Sequence, residues 1–250
     1  MDCKYTQLFT RVDLPAFEPR FAYGESLCLI GSCFAENLAS YLSERKFEVH
    51  QNPFGILFNP LSMEQCVSDC LGDRAYTAED YVEKNGVWFS WNHHGSISGY
   101  SLPELEEKIR RSREEGRRAL STASWVILSL GTARVYFSAE DGRLVANCHQ
   151  MPSAMFQERR LSVEECATSL ARTVEQILEC NPSAHILLTV SPIRHWKDGA
   201  HENQLSKASL LLAAESCREL LDATGASRVH YFPAYELMMD ELRDYRFYAD

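Results

Sequence analysis

Ser32 and Cys33 are the residues of this sequence best placed for covalent chemistry. The stretch SLCLIGSCFAENLASY (26–41) runs apolar up to Gly31 and then becomes helical in pattern. A hydroxyl and a thiol therefore fall together on a tight strand-to-helix turn. Gly31 lets the backbone bend there or approach a ligand closely. The first turn of a helix offers unpaired N–H groups and the positive end of its dipole, which favour a thiolate or a developing oxyanion. Either side chain would serve as nucleophile, the hydroxyl only with a neighbouring base to take its proton.

Histidines are the candidate bases. His195 closes Ser191-Pro192-Ile193-Arg194-His195, His149 lies in Asn147-Cys148-His149-Gln150, and His93 and His94 are adjacent in an aromatic stretch. Cys33, His93, His149 and His195 are donors that zinc accepts, but their spacing forms no metal motif, and no metal or cofactor is expected. Arg194 and Lys207 would hold an acidic substituent of a substrate or close surface ion pairs. Trp88, Phe89, Trp91 and Trp196 would stack on sugar rings where exposed and form a satellite core where buried. His50, His185, His201 and His230 read as structural.

The elements that position these groups follow from the apolar pattern. Strands are expected over 26–30, 47–50, 125–130, 185–190 and 229–232, and helices over 35–44, 62–71, 103–120, 162–180, 204–223 and 235–243. Ser62 reads as an N-cap, and Ser162 with Glu165 as a capping box. Asn85-Gly86 marks a turn within an irregular aromatic stretch, 76–99, and Asp141-Gly142 marks a hairpin. Strands alternating with helices imply one doubly wound α/β domain over 1–250. Its sheet would be mainly parallel and five-stranded, in flavodoxin-like order, with the aromatic stretch and the hairpin as insertions. Ligands bind beyond the carboxyl ends of such strands. Those ends are Gly31–Cys33, Asn52–Gly55, Gly131-Thr132 and Ser191–His195, so four loops converge on one candidate site.

The 250 residues carry a net charge of −10, which argues against a nucleic-acid partner. The basic residues between Lys108 and Arg118 are interleaved with glutamates, the mark of a solvated, salt-bridged helix. None of the nine cysteines forms a Cys-x-x-Cys pair. Cys28, Cys166, Cys180 and Cys217 fall in apolar patterns and are expected to be buried, while Cys66 and Cys70 are spaced as neighbours on a helix face. No stretch has the length of a signal-peptide core or a membrane span, so the expected setting is a reducing cytoplasm without a membrane partner.

Taken in order, IGSCFAENL, NPFGILFNP, SWNHHGSISG, NCHQMP and SPIRHWKDG followed by NQLSKASLLLA resemble the GSCFA family, a relative of SGNH/GDSL-type esterases. The resemblance implies an SGNH-like order of strands and a hydrolase or acyltransferase acting on ester-linked acyl groups. The substrate would be a small-molecule or carbohydrate ester. In the first SGNH block, Gly-Asp-Ser, Gly31 matches the glycine and Cys33 takes the nucleophile position. A register shifted by one would assign that position to Ser32. Gly55 resembles the oxyanion-hole glycine of the second block, acting with an N–H at Ser32 or Cys33. The third block keeps its glycine in Gly131 but lacks the asparagine, for which Thr132 or Asn52 would substitute. The fourth, Asp-x-x-His-Pro, would begin at Asp250, so a C-terminal segment is expected to be lacking. The base then lies beyond Asp250 or is His195, His149, His93 or His94. Two rival readings are a ligand-binding module derived from an esterase fold and an interaction protein with an apolar patch over 86–99.

Overall fold

The apolar runs Ser26–Gly31, Trp125–Leu130 and His185–Val190 become neighbouring strands of one parallel sheet. The computed structural model describes residues 10–15, 18–222 and 228–243; Asp250 lies outside them. In chain order the elements begin with β1 (Ser26–Gly31), α1 (Cys33–Glu44), β2 (Glu48–Gln51) and α2 (Pro60–Leu71). The first insertion holds β3 (Tyr81–Lys84), β4 (Val87–Ser90) and β5 (Ser98–Gly99). Then come α3 (Leu102–Thr122), β6 (Trp125–Leu130) and a second insertion with β7 (Arg134–Ser138), β8 (Leu144–Val145) and β9 (Phe156–Arg160). The chain continues through α4 (Val163–Cys180), β10 (His185–Val190), α5 (Ala200–Asp222) and β11 (Val229–Phe232).

The five-stranded sheet has the order β11-β10-β6-β1-β2 with every pair parallel, which is the expected flavodoxin-like order. The order reverses between β1 and β6. In sheets of this kind the loops part to opposite faces at such a crossing and leave a crevice. Alternation along β1 sends Cys28 and Ile30 into the larger core under α2 to α5, and Leu27 and Leu29 onto the α1 face.

The insertions are more ordered than their sequence suggests. Asn85 (φ 54°) and Gly86 (φ 79°) form a two-residue turn between β3 and β4, and β5 completes an antiparallel sheet. The hairpin β7–β8 gains a third strand, β9, which pairs with β7. Trp88, Phe89 and Trp91 are half-buried, whereas Trp196 is exposed.

Several local expectations are corrected. The second helix starts at Pro60, not Ser62: Asn59 is the N-cap, accepting the Ser62 N–H at 2.9 Å, and Pro60 needs no N–H there. Lys108, Arg110 and Arg111 form the expected ion pairs along α3. Arg113 and Arg117 instead reach across to the end of α2, donating to the carbonyls of Asp69, Gly72 and Arg74, and of Cys70 and Gly72. They satisfy acceptors that the helix cannot. Cys180 is exposed at the last turn of α4, while Cys28, Cys66, Cys70, Cys166 and Cys217 are buried. No helix among the described residues is long and apolar enough to cross a membrane.

Candidate active site

The strand-to-helix turn is fixed by close approach of β1 to β6. Gly31 has φ +150°, and a Cβ there would fall 2.2 Å from Ser129 O. Its N–H donates to Asn52 Oδ1 at 2.8 Å and its carbonyl accepts from Leu57 N at 2.9 Å. Ser32 is the N-cap of α1. Its Oγ accepts from Phe34 N at 3.3 Å and shares a hydrogen bond with Ser129 Oγ at 3.2 Å, leaving the residue 1% exposed. Cys33 is the first helical residue and carries a free, partly exposed thiol. Its N–H is one of the helix's unpaired first amides. The two candidates for nucleophile are thus separated by burial: Ser32 is a buried cap, and Cys33 is partly exposed.

Three candidate oxyanion groups lie on neighbouring loops. Asn52 (φ 41°) follows β2, and its Nδ2 is buried without a partner. The Gly55 N–H is engaged in its own turn, donating to Asn52 O at 2.8 Å. Gly55 serves close packing instead, since a Cβ there would come 2.4 Å from His94 Cβ. Thr132 is likewise committed: its N–H, like that of Gly131, donates to Phe58 O at 2.9 Å, and its hydroxyl pairs with Ser206 Oγ at 2.9 Å. The donors left for a developing oxyanion are Cys33 N–H and Asn52 Nδ2.

Among the described residues, no histidine hydrogen-bonds Ser32 Oγ or Cys33 Sγ. His93 is fully buried, stacked on Phe54 at 4.1 Å, with Nδ1 on Ser90 Oγ at 3.0 Å. Burial, aided by Arg113, pushes its pKa down to about 3. His149 (φ 48°) stacks on Phe89 at 4.6 Å, with Nε2 on Ser90 O at 2.8 Å. Both belong to the packing of the first insertion. His94 holds Ser96 Oγ through Nδ1 at 3.0 Å; burial lowers its pKa and Glu36 of α1 opposes the fall. His195 is anchored by its N–H to Asn203 Oδ1 at 2.9 Å and meets the Phe58 ring edge-on at 5.6 Å. Burial and then the Lys207 charge lower its pKa, while Asp198 opposes them. Arg194 is exposed, lies over the Trp196 ring at 5.4 Å and donates to Met239 Sδ. No set of three or more His, Cys, Asp or Glu side chains among the described residues converges as metal ligands.

Lys207 lies at the strand-end edge, as expected, but is buried and forms no surface ion pair. It is 1% exposed, and its Nζ donates to Gly131 O and Ser191 O, both at 2.6 Å, at the carboxyl ends of β6 and β10. Burial pushes its pKa down to about 7, and the Cys33 thiolate opposes the shift. The signal was present in the spacing. Asn203, Ser206, Lys207, Leu210, Ala214 and Cys217 lie on the buried face of α5, so the lysine shares the face of the leucine. Arg134 steadies the start of α5 by pairing with Glu202 at 2.9 Å, Asp198 at 3.4 Å and Glu158 at 3.0 Å. Beside Phe58 opens a cleft of about 540 Å³ lined by Tyr136, Asn147, Phe156, Glu158 and Lys197.

These features define an α/β domain with a thiol at the strand-order crossing of a parallel sheet. The chain belongs to the GSCFA family, whose model matches residues 26–250. No curated protein matches it in sequence. Among solved structures it is similar to an acetyl xylan esterase, Est2A, from the rumen bacterium Butyrivibrio proteoclasticus, with 13% identity and a TM-score of 0.44. That match covers 86% of this chain and 56% of the esterase, so the chain spans little more than half the esterase's length. It is also similar to the periplasmic domain of a lipopolysaccharide acetyltransferase from Salmonella ser. Paratyphi A, with 13% identity, a TM-score of 0.36, and coverage of 86% and 67% of the two chains.

Proposed function

We propose that this protein is an SGNH-like acyl-transfer enzyme that uses Cys33 to attack ester-linked acyl groups, with a carbohydrate as the alcohol. The observation that carries this reading is the partly exposed Cys33 at the start of α1, at the strand-order crossing, beside a serine locked as its cap. Attack by sulfur on the ester carbonyl forms the C–S bond and moves charge onto the carbonyl oxygen. Cys33 N–H and Asn52 Nδ2 are the donors that would receive it. Collapse releases the alcohol and leaves a thioester. Water or an acceptor hydroxyl then resolves the thioester, which gives hydrolysis or acyl transfer. The cleft beside Phe58 combines aromatic rings with amide, carboxylate and ammonium groups, a lining suited to a polyhydroxylated ring.

The test is turnover of p-nitrophenyl acetate and of a peracetylated monosaccharide by Cys33→Ala and Ser32→Ala. Cys33→Ala, or alkylation of Cys33, is expected to abolish turnover. Ser32→Ala is expected to retain most of it and to lose about 1 kcal/mol of stability with the cap. Full turnover in both variants would remove the mechanism. Absence of turnover in the unaltered protein would instead leave the binding-module reading, favoured by the lack, among the described residues, of a histidine hydrogen-bonded to Cys33.

A further inference from the structure

We propose that Lys207 is the general base of this site, its neutral amine taking the Cys33 thiol proton and returning it to the departing alkoxide; the proposal rests on Cys33 being the nucleophile. An ammonium has three N–H donors, whereas a neutral amine has two and a lone pair. The carbonyls of Gly131 and Ser191 take two donors at 2.6 Å. The neutral amine keeps both bonds and frees its lone pair for the third direction. Gly131 lies against the nucleophile turn, since a Cβ there would come 3.2 Å from Ser32 Cβ. Lys207 Nζ is therefore held at the carbonyl of a residue that packs on Ser32, next to Cys33.

The charged surroundings fit the role. The charge of Cys33, at the start of α1, acts on Lys207, and His195, in the loop after β10, feels the lysine's charge. The hydroxyls of Ser206 and Thr132, one residue away on α5 and at the end of β6, are bonded to each other and carry no charge. Among the described residues no carboxylate lies within ion-pair distance of Nζ. An ammonium buried without a counter-ion is costly, and a neutral donor would tie two carbonyls without that cost. What lysine adds is a proton that comes and goes near neutral pH, where burial has brought its pKa to about 7. In the acylation step the S–H bond breaks, the proton passes to Nζ and the C–S bond forms. The C–O bond to the alcohol then breaks and the alkoxide takes the proton back. In deacylation the incoming water or hydroxyl gives its proton to Nζ, and the departing thiolate recovers it.

The experiment follows iodoacetamide alkylation of Cys33 by peptide mass spectrometry from pH 5 to 10, with ester turnover measured in parallel. In the unaltered protein the alkylation rate is expected to rise with an inflection near pH 7. Lys207→Met, which keeps the buried stem, is expected to lose that inflection and about 10²–10⁴-fold in kcat. Lys207→Gln keeps uncharged N–H donors for the carbonyls and has no basic nitrogen, so it serves as a second variant and is expected to fold and to be as slow. An alkylation profile with no inflection between pH 6 and 8 in the unaltered protein would overturn the proposal. So would wild-type turnover in either lysine variant, or an inflection that disappears in His195→Asn while surviving in Lys207→Met. Failure of the underlying reading shows separately, as turnover that survives Cys33→Ala.

Discussion

Asn52 performs two tasks with one amide. Its oxygen holds the Gly31 N–H at 2.8 Å, which sets the turn, and its nitrogen is buried without a partner beside that turn. A buried donor left unpaired calls for a reason, and an oxyanion that exists only during reaction supplies one. Asn52→Ala is expected to lower kcat by about 10²–10³-fold, the usual cost of one oxyanion donor. Steady-state kinetics should show kcat and kcat/KM falling together, because the bond is made only in the transition state. A rise in KM at unchanged kcat would assign Asn52 to ground-state binding instead.

At the scale of elements, α3 is more than a solvated helix. Gly116 lets it press on α2, since a Cβ there would meet Cys70 Sγ at 2.4 Å and Pro53 Cβ at 2.9 Å. Ser112 Oγ donates to Pro53 O on the loop that carries Asn52 and Gly55. Gly116→Ala gains helix propensity of about 1 kcal/mol, yet is expected to destabilise by about 1–3 kcal/mol through overpacking. Arg113→Ala removes a guanidinium that donates to three carbonyls and should cost about 1–3 kcal/mol. Urea unfolding measures both. None of this shows in the residue pattern of α3, because a glycine and an arginine on a charged helix look the same whether they face water or a neighbour. The five sheet strands were legible because β6 and β10 are continuous apolar runs, and the Asn85-Gly86 turn because its chemistry is local. β9 (FQERR) was not, being mostly polar and exposed and held by pairing with β7.

For the whole molecule, buried bases make stability climb with pH. His93 has a folded pKa of about 3 against 6.5 when unfolded, so the unfolded chain binds its proton first as pH falls. Its contribution is present above pH 6.5 and is lost below it at up to about 1.4 kcal/mol per pH unit. Lys207, at about 7 against 10.5, acts higher on the scale. Between those values the unfolded chain holds a proton that the folded one lacks, so Lys207 makes stability rise with pH. Cysteines such as Cys28, Cys166 and Cys217, raised by burial, reverse the rise above about pH 9, and tyrosines such as Tyr231 add to the fall above about pH 10. Urea midpoints should therefore rise from pH 4 to 6.5 and again from 7 to 9, and Lys207→Met should flatten the second rise alone. The convergence of the strand-end loops was legible at this scale, because the carboxyl ends of parallel strands share one edge of the sheet. The burial of Lys207 showed only in the spacing of α5 and was masked by its charge: a lone lysine between Ser206 and Ala208 reads as a surface residue until α5 turns it inward over two strand ends.

Gly31 and Ser129 make the thiol non-transferable on its own. With backbone touching backbone at that crossing, exchanging the two side chains as Ser32→Cys with Cys33→Ser would put sulfur where no reagent reaches. A designer grafting this chemistry onto another parallel sheet would have to move the strand-end glycine, the serine of the adjoining strand and the capping serine as a single cassette.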